Sequence, residues 1–180
     1  RERADLVRSC LAALGALDYA RDAFEIIVVD DGSACPLTDV LVPAPGDVAV
    51  SIVRTLHGGA AAARNIGAER ARGRFLAFTD DDCRPHPSWL RMLGMQLALT
   101  PDRLVGGRTV NALPSNPYAA TSQLVIDLVY EQCNPKPAQA TFLTSNNMAV
   151  AAAPFRAMGG FDASFRAAED RELCHRWLSQ

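Results

Sequence analysis

A short apolar run that ends in three consecutive carboxylates is the feature that most constrains how this sequence folds. The run, FLAF at 75–78, is followed after Thr79 by Asp80, Asp81 and Asp82. Four apolar residues without polar alternation predict a buried strand. Carboxylates this close together repel and raise one another's pKa. The fold must therefore bury the strand, expose its carboxyl end and bring positive charge to it.

Strands and helices alternate over the first 100 residues. Apolar spacing predicts helices over 5–17 and 60–72 and from 87 onward, and strands over 24–29, 48–53 and 74–79. A loop with a weak helical tendency is expected over 36–47. This alternation predicts a single α/β domain, a sandwich with a mainly parallel central sheet.

The remaining residues predict shorter elements. We expect a strand over 103–108, a helix over 117–132, extended pieces over 141–143 and 147–150, a helical turn over 154–158, a tight connection over 159–162 and a helix over 169–178. The inward face of the helix over 117–132 is expected to carry Leu124, Val125, Leu128 and Val129.

Acidic residues end two of the predicted strands. Asp30 and Asp31 close the strand over 24–29, as Asp80 to Asp82 close the strand over 74–79. Parallel sheets bind ligands outside the carboxyl ends of their strands, which predicts a site there. Asp30 is expected to accept hydrogen bonds from a nucleobase or ribose, although Asp31-Gly32 is also a common turn pair.

The Asp80–Asp82 block suits a hard divalent cation. If the segment stays extended, Asp80 and Asp82 share one face and Asp81 points away. Two carboxylates on one side of a cleft fit Mg²⁺ or Mn²⁺ that also holds substrate phosphates. A solvated acidic turn before Pro85 is the alternative, and the position after a buried strand favours the metal.

Two further polar groups lie on predicted helices. Arg64 falls on the alanine-rich helix over 60–72, where a role near a diphosphate competes with an ordinary solvated position. Glu169 and Asp170 open the last helix, where the helix dipole alone accounts for acids. A carboxylate there that faces the cleft would serve as a general base.

Composition excludes several classes of function. The net charge of −2 does not indicate nucleic-acid binding. The five cysteines include no CxxC pair, so neither a zinc site nor a disulfide framework is expected. A reducing cytoplasmic compartment fits this cysteine content, and no apolar run reaches the roughly 18–20 residues that span a bilayer. Association with the cytoplasmic face of a membrane would require sequence outside these residues.

Five stretches, in this order, resemble the family 2 glycosyltransferases, which have a glycosyltransferase A-type fold. They are EIIVVDDGS at 25–33, GGAAAARNIGAERARGRFLAFTDDD at 58–82, TSNNMAV at 144–150, GGFD at 159–162 and EDRELCHRW at 169–177. Each is weak alone, but five in the family's order make the resemblance specific.

The resemblance implies a role for each matching residue. The nucleotide-sugar would contact Asp30, Asp31, Arg64, Asp80 and Asp81. The metal would bind Asp82, and Asp80, beside the ribose, would share it. Asp170 would be the catalytic base, with Glu169 as the alternative. Trp177 and the glycines at 159–160 would shape the acceptor side.

The same resemblance implies an incomplete domain. The family's first strand and its C-terminal acceptor region have no counterpart here, so both ends are expected to be cut. Residues 1–111 would form the nucleotide-sugar-binding half of the domain, and residues 112–180 the acceptor-binding half.

The expected activity is metal-dependent, inverting transfer of a sugar from a nucleotide-diphosphate sugar, first of all a UDP-sugar, to a hydroxyl of a glycan, lipid or other acceptor. The expected cofactor is Mn²⁺ or Mg²⁺. A nucleotidyltransferase and a non-catalytic nucleotide-sugar or glycan-binding module are the alternatives.

Overall fold

The computed structural model describes residues 2–39, 48–136 and 139–180. Its helices are α1 (Glu2–Gly15), α2 (Ala60–Arg70), α3 (Trp89–Leu99), α4 (Pro117–Cys133), α5 (Ala152–Ala157) and α6 (Glu169–Leu178). Its strands are β1 (Glu25–Asp31), β2 (Ala49–Thr55), β3 (Phe75–Phe78), β4 (Val105–Gly106) and β5 (Met148–Ala151). The predicted α/β class is confirmed. The loop expected over 36–47 begins with a 3-10 turn, Leu37–Asp39, and its residues 40–47 lie outside the described part.

The described strands form two sheets rather than the one central sheet expected. Strand β1 pairs in parallel with β2, from Glu25 opposite Ala49 to Asp31 opposite Thr55. Strand β5 lies between β3 and β4 and runs antiparallel to both. The α/β architecture therefore combines a parallel pair with a three-stranded antiparallel sheet.

Helix α2 shows that β1 and β3 run in the same direction. The N–H groups of Gly58 and Gly59, before α2, donate to Asp31 at the end of β1. After α2, the N–H of Arg72 donates to Glu25 at the start of β1, at 2.7 Å. The chain then enters β3, and Asp80, just after the end of β3, contacts Arg64 of α2. Both acidic clusters therefore lie at the same end of the strands.

Two large apolar cores hold these layers, and a smaller third cluster contains Leu93, Leu97 and Ala149. Helix α1 buries one face, spaced at helical intervals, against β1 and β2; this core contains Val7, Cys10, Leu11, Leu14, Leu17, Ile26, Leu37 and Val48. The other core surrounds β5, where Met148 and Val150 are fully buried. There Phe78, Phe155 and Phe161 form an aromatic triangle with ring centroids 5.2–5.5 Å apart.

The predicted inward face of α4 is correct for Val129 and wrong for the other three residues. Leu124, Val125 and Leu128 are 60%, 56% and 51% exposed. The helix packs through Val129 and Tyr130 against the β5 core, and the Tyr130 hydroxyl also hydrogen-bonds to Thr144. Apolar residues occupy both faces of α4, so periodicity alone could not select the buried one.

The extended piece expected over 141–143 forms no strand. The Asn134 side chain holds it in place by accepting the N–H groups of Thr141 and Phe142 and donating to the Phe142 carbonyl. No helix in the described residues is long and apolar enough to cross a membrane.

Candidate active site at the strand ends

Arg64 joins three elements at the carboxyl ends of β1 and β3. Its Nη2 donates to Asp80 Oδ1 at 2.7 Å, and its Nη1 donates to Glu169 Oε1 at 2.8 Å. The Arg64 side chain is 14% exposed and that of Glu169 13%, so this pair is shielded from water, whereas Asp80 is partly exposed. The Arg64 guanidinium also lies 5.7 Å from the centre of the Phe161 ring. The structure thus brings together Arg64, Asp80 and Glu169, three of the residues expected at the site.

Asp170 lies beside this cluster but is not paired with Arg64 by a hydrogen bond in the structure. Burial raises the pKa of the Asp170 carboxyl above its ordinary value, and the negative charge of Glu169 adds to the rise. Its oxygens accept the N–H of Arg171 at 2.8 Å and, more weakly, the N–H of Ser145 at 3.4 Å. A carboxyl group with a raised pKa is better matched to proton abstraction near neutral pH.

The start of α6 is fixed by an unusual backbone conformation. Ala168, which precedes Glu169, has φ 63° and ψ 24°, in the left-handed region that side chains other than glycine seldom adopt. Among the described residues it is the one non-glycine with positive φ. Such strain is found where surrounding contacts over-determine the backbone, here beside the two candidate bases.

The Asp80–Asp82 segment is a turn and not an extension of β3. The strand ends at Phe78, and the N–H of Cys83 donates to the Asp80 carbonyl at 3.1 Å. The expectation that Asp80 and Asp82 share a face rested on an extended backbone and does not follow. The three carboxylates have separate surroundings, because Asp80 is paired with Arg64, and Asp82 is exposed beside the Cys83 thiol.

Helix α1 anchors this turn from the other side. Arg3 Nη2 donates to Asp81 Oδ1 at 3.0 Å, and the Cys10 thiol donates to the Asp80 carbonyl at 3.5 Å. Burial raises the pKa of Cys10 to about 12, so the thiol keeps its proton. Burial also raises the pKa of Asp81, against the effect of Arg3 and with that of Asp82.

The residues of this turn fit a metal that brings other ligands with it. In the described residues, no three His, Cys, Asp or Glu side chains are arranged to hold a metal ion. Asp82 and the 39%-exposed Asp80 nevertheless offer two accessible carboxylates on one turn. Mg²⁺ and similar ions are commonly bound through one or two carboxylates plus substrate phosphates and water, which is the donor set available here.

Asp30 has a different environment from the one expected for a nucleobase contact. Its side chain is 1% exposed. One oxygen accepts the N–H of Ser33 at 2.9 Å, and the other accepts the N–H of Leu37 at 3.1 Å and faces Arg54 at 3.5 Å. Burial alone would raise the pKa of Asp30, but these bonds lower it below its ordinary value. Asp30 thus holds the loop after β1.

Asp31 sets the start of α2. Its carboxylate accepts the N–H groups of Gly58 and Gly59 at 2.8 and 2.9 Å and pairs with His57 Nδ1 at 2.9 Å. These donors lower the pKa of Asp31 although burial would raise it. Asp31 is more exposed than Asp30, and the exposed His57 is a partner that a ligand can displace.

Asn65 is a site-building residue that sequence reasoning missed, and its partner Gly160 was expected only on the acceptor side. The Asn65 side chain donates to the Phe161 carbonyl at 2.7 Å and accepts the Phe161 N–H at 2.8 Å. Gly160 has φ 70°, and a Cβ there would clash with Asn65 Oδ1. Asn65 directly follows Arg64, and the glycine pair at 159–160 is visible, but no sequence pattern links the two. Their contact fixes Phe161 against Arg64.

Trp177, expected on the acceptor side, is used in packing. Its indole N–H donates to the Asp102 carbonyl at 2.9 Å, and its ring packs against the β5 core. Trp89 contributes more directly to the shape of the region, because its indole N–H donates to Asn147 Oδ1 at 2.9 Å in the segment that precedes β5.

Comparison with known proteins gives a family match over most of the chain. A family model described as Glycosyl transferase family 2 matches residues 1–159. A pre-mycofactocin glycosyltransferase of Mycobacterium tuberculosis is 33% identical over 178 residues, which cover 96% of this chain and 37% of that protein. The chain therefore spans less than half the length of this relative.

Solved structures share the fold. The mannosyltransferase PcManGT of Pyrobaculum calidifontis, in complex with GDP-Man and Mn²⁺, has a TM-score of 0.72 and 23% identity over 93% of this chain and 46% of its own. S. aureus TarS in complex with UDP-GlcNAc has a TM-score of 0.68 and 17% identity over 94% of this chain and 48% of its own.

Proposed function

Because the chain belongs to glycosyl transferase family 2, we propose that it transfers a sugar from a nucleotide-diphosphate sugar to an acceptor hydroxyl with inversion at the anomeric carbon. The observation that carries the proposal is the bridge made by Arg64. One guanidinium contacts Asp80 at the end of β3 and Glu169 beside Asp170 at the start of α6. A donor at β3 and a base on α6 would therefore meet around one residue.

We assign the base to Asp170 and not to Glu169. Glu169 is committed to Arg64 at 2.8 Å, whereas the contacts of Asp170 are with backbone N–H groups. Its raised pKa suits a group that takes the acceptor proton as the hydroxyl attacks. Attack assisted by a base from the face opposite the leaving group inverts the reacting centre, which is the basis for the inverting assignment.

The donor would lie along the strand ends. Asp80, on the Arg64 side of the turn, is assigned to the ribose, and Arg64 to the neighbourhood of the diphosphate, where its fork of N–H donors matches phosphate oxygens. Asp31, with its displaceable partner His57, is assigned to the nucleobase. Asp30 supports it by fixing the loop. Asp81, held by Arg3, is assigned to shaping the turn.

Asp82, with Asp80, would hold a divalent cation. When bound, such a cation neutralises the charge that develops on the leaving diphosphate. The exposure of Asp82 and the carboxylate chemistry of the turn support this assignment, as does Mn²⁺ in the complex of the mannosyltransferase PcManGT.

The donor class rests on the relatives as well as on the site. TarS is described with UDP-GlcNAc and PcManGT with GDP-Man. We propose a UDP-sugar as the first donor to test and a GDP-sugar as the second. Residues 1–111, which carry Asp31, Arg64 and Asp82, would bind the donor, and residues 112–180, which carry Asp170, the acceptor.

The test is product formation with a panel of nucleotide sugars and hydroxyl acceptors, with Mn²⁺ or with chelator. We expect metal-dependent release of a nucleoside diphosphate. Asp170→Asn should lower kcat by about 10²–10⁴ while donor affinity stays the same. Asp127→Asn, a matched change in the exposed pair with Arg108, is the control. Donor binding without turnover by any donor would contradict the transferase and favour a binding module.

A further inference from the structure

A chain of hydrogen bonds leads from α4 to the segment that precedes β5. The Tyr130 hydroxyl oxygen lies 2.9 Å from Thr144 Oγ1 and also accepts the Thr144 N–H at 2.9 Å. Thr144 Oγ1 in turn donates to Asn146 Oδ1 at 2.8 Å. We call the side chains of Tyr130, Thr144 and Asn146 the hydroxyl relay.

The direction of each bond in the hydroxyl relay follows from the hydrogens that are present. An amide oxygen only accepts, so the one hydroxyl hydrogen of Thr144 goes to Asn146. The bond between the two hydroxyl groups must therefore use the hydrogen of Tyr130. Tyr130 thus donates to the Thr144 side chain and accepts from the Thr144 backbone. A phenylalanine at position 130 would keep the ring and lose both bonds.

The hydroxyl relay spans Ser145, whose backbone contacts the candidate base. Ser145 is 5% exposed, and its N–H donates to Asp170 Oδ2 at 3.4 Å. The relay ties the residue before Ser145 to the residue after it, and so fixes the peptide group that carries this N–H. Because 3.4 Å is long for such a bond, a small displacement of Ser145 is enough to break it.

The segment over 143–147 lies between α4 and α6. The N–H of Leu143 donates to Cys174 Sγ of α6 at 3.4 Å, and the thiol donates to the Leu143 carbonyl at 3.6 Å. At the other end of the segment, Asn147 accepts the indole N–H of Trp89. The two bonds of Tyr130 are therefore what α4 adds to the part of the segment that contacts Asp170.

We propose that Tyr130 is a positioning residue for the candidate base: through the hydroxyl relay it holds the Ser145 N–H against the Asp170 carboxylate and so fixes the orientation of that carboxylate. The word base rests on the proposed function, whereas the hold on the carboxylate does not. Tyr130 acts through Thr144 and Ser145 and is not itself a catalytic residue.

The groups that face Asp170 determine what loss of this hold would do. Burial raises the pKa of Asp170, the negative charge of Glu169 adds to the rise, and the positive charge of Arg64 opposes it. The Cys174 thiol is near Asp170 and keeps its proton, since burial raises its pKa to about 11. The segment over 143–147 brings no charged side chain to Asp170 and acts on it through the backbone.

The test is the titration of Asp170 in the chain without substrate, followed by carbon NMR of the carboxyl group and assigned with Asp170→Asn. The Ser145 N–H lowers the pKa of Asp170, so Tyr130→Phe should move the titration midpoint to higher pH. The ring at 130 keeps its edge contact with Phe142, at 5.6 Å between centroids. Tyr118→Phe, on the same helix and 85% exposed, is the matched control and should leave the midpoint unchanged.

Two changes at Thr144 test the hydroxyl relay without altering α4. Thr144→Ser keeps the hydroxyl group and should keep the midpoint of the parent chain. Thr144→Val has a similar shape without the hydroxyl and should move the midpoint in the same direction as Tyr130→Phe. The double variant should shift it by less than the sum of the two single changes, because the two side chains belong to one network.

Kinetics on the same variants separate positioning of the base from support of the fold. If the chain acts as proposed, Tyr130→Phe should lower kcat by about three- to tenfold and leave the KM for the donor unchanged. The acid limb of the kcat profile should move to higher pH, because the base must be ionised to take a proton. A parent chain without turnover contradicts the proposed function, and the NMR titration then still decides whether the relay holds Asp170.

Two outcomes would overturn the proposal. One is an Asp170 midpoint that is the same in folded Tyr130→Phe as in the parent chain, even if kcat falls. The other is a shift in Thr144→Ser as large as that in Thr144→Val, which would mean that packing at position 144, and not its hydroxyl group, positions Asp170.

Discussion

The acids at the end of β1 and those at the end of β3 are alike in sequence and opposite in environment. Asp30 is 1% exposed and bonded to the backbone N–H groups of Ser33 and Leu37. Asp80 and Asp81 are instead bonded to the side chains of Arg64 and Arg3, and Asp82 is exposed. Asp30 therefore belongs to the fold, whereas the acids after β3 are held by side chains that a ligand can draw away.

The difference follows from what supplies the positive charge. Backbone N–H groups are fixed by the course of the chain, so a carboxylate bound to them cannot release them without unfolding a loop. A guanidinium on a flexible side chain can change partners while the backbone stays in place. We therefore expect changes at Asp30 to affect stability and changes at the β3 end to affect activity.

Among the changes that test this comparison, Asp82→Asn has the largest expected effect, and it tests the β3 side. Loss of one charged group that supports the leaving diphosphate should lower kcat by about 10²–10³. Because Asp82 is exposed, the free energy of unfolding should change by less than about 0.5 kcal/mol. Steady-state kinetics and calorimetric unfolding on the same samples decide it. A large loss of stability would mean that the turn depends on Asp82.

Asp30→Asn tests the β1 side. The amide keeps the volume but loses the charge that two backbone N–H groups require, so unfolding should become easier by about 1.5–3 kcal/mol. Denaturant midpoints measured at constant slope give this difference. The matched control is Asp127→Asn, whose carboxylate lies in an exposed pair with Arg108. Equal stabilities of the two variants would remove the distinction between the clusters.

Lowering the pH should change the contributions of the two clusters to folding stability in opposite directions. The folded-state pKa of Asp30 and of Asp31 is lowered from 3.8, so their contribution is complete above pH 3.8 and is lost as the pH falls through the lower folded value. The folded-state pKa of Asp81 is raised, so its protonation favours the folded state as the pH falls. Stability curves against pH should be flatter in acid for Asp30→Asn and steeper for Asp81→Asn than for the parent chain.

Ala168→Gly has the smallest expected effect. It tests how much backbone strain is stored just before Glu169, whose partner Arg64 also holds Asp80 at the β3 end. Glycine adopts the left-handed conformation without penalty, so the folded state should gain about 1 kcal/mol, reduced by the greater freedom of the unfolded chain. Thermal unfolding measures the net shift. A net loss of stability would show that the Ala168 methyl group makes packing contacts worth more than the strain.

Local patterns predicted the elements, while distant contacts decided how they are used. The spacing in α1 and the apolar run of β3 identify buried faces because each depends on neighbours in sequence. The bond between Arg64 and Glu169 joins residues 105 positions apart, and nothing in either neighbourhood encodes it. The resemblance to the family placed these residues in one expected site, but it did not predict the contact between them.

The same limit explains the expectations that differed. In the sequence, Asp30 and Asp80 follow strands in the same way. Their environments differ because the loop after β1 folds back and its N–H groups bind the Asp30 carboxylate, whereas the turn after β3 does not do so for Asp80. The apolar residues of α4 surround the helix, so only tertiary contacts through Val129 and Tyr130 select its buried face.

The shared guanidinium of Arg64 makes the two ends of the site thermodynamically dependent on each other. A donor that draws Arg64 away from Asp80 also weakens the restraint on Glu169, and thereby changes the first turn of α6, which carries Asp170. By thermodynamic linkage, an acceptor that binds at this turn would change the affinity for the donor by the same factor by which the donor changes the affinity for the acceptor. If the chain acts as proposed, this one largely buried side chain would couple the binding of the donor to that of the acceptor.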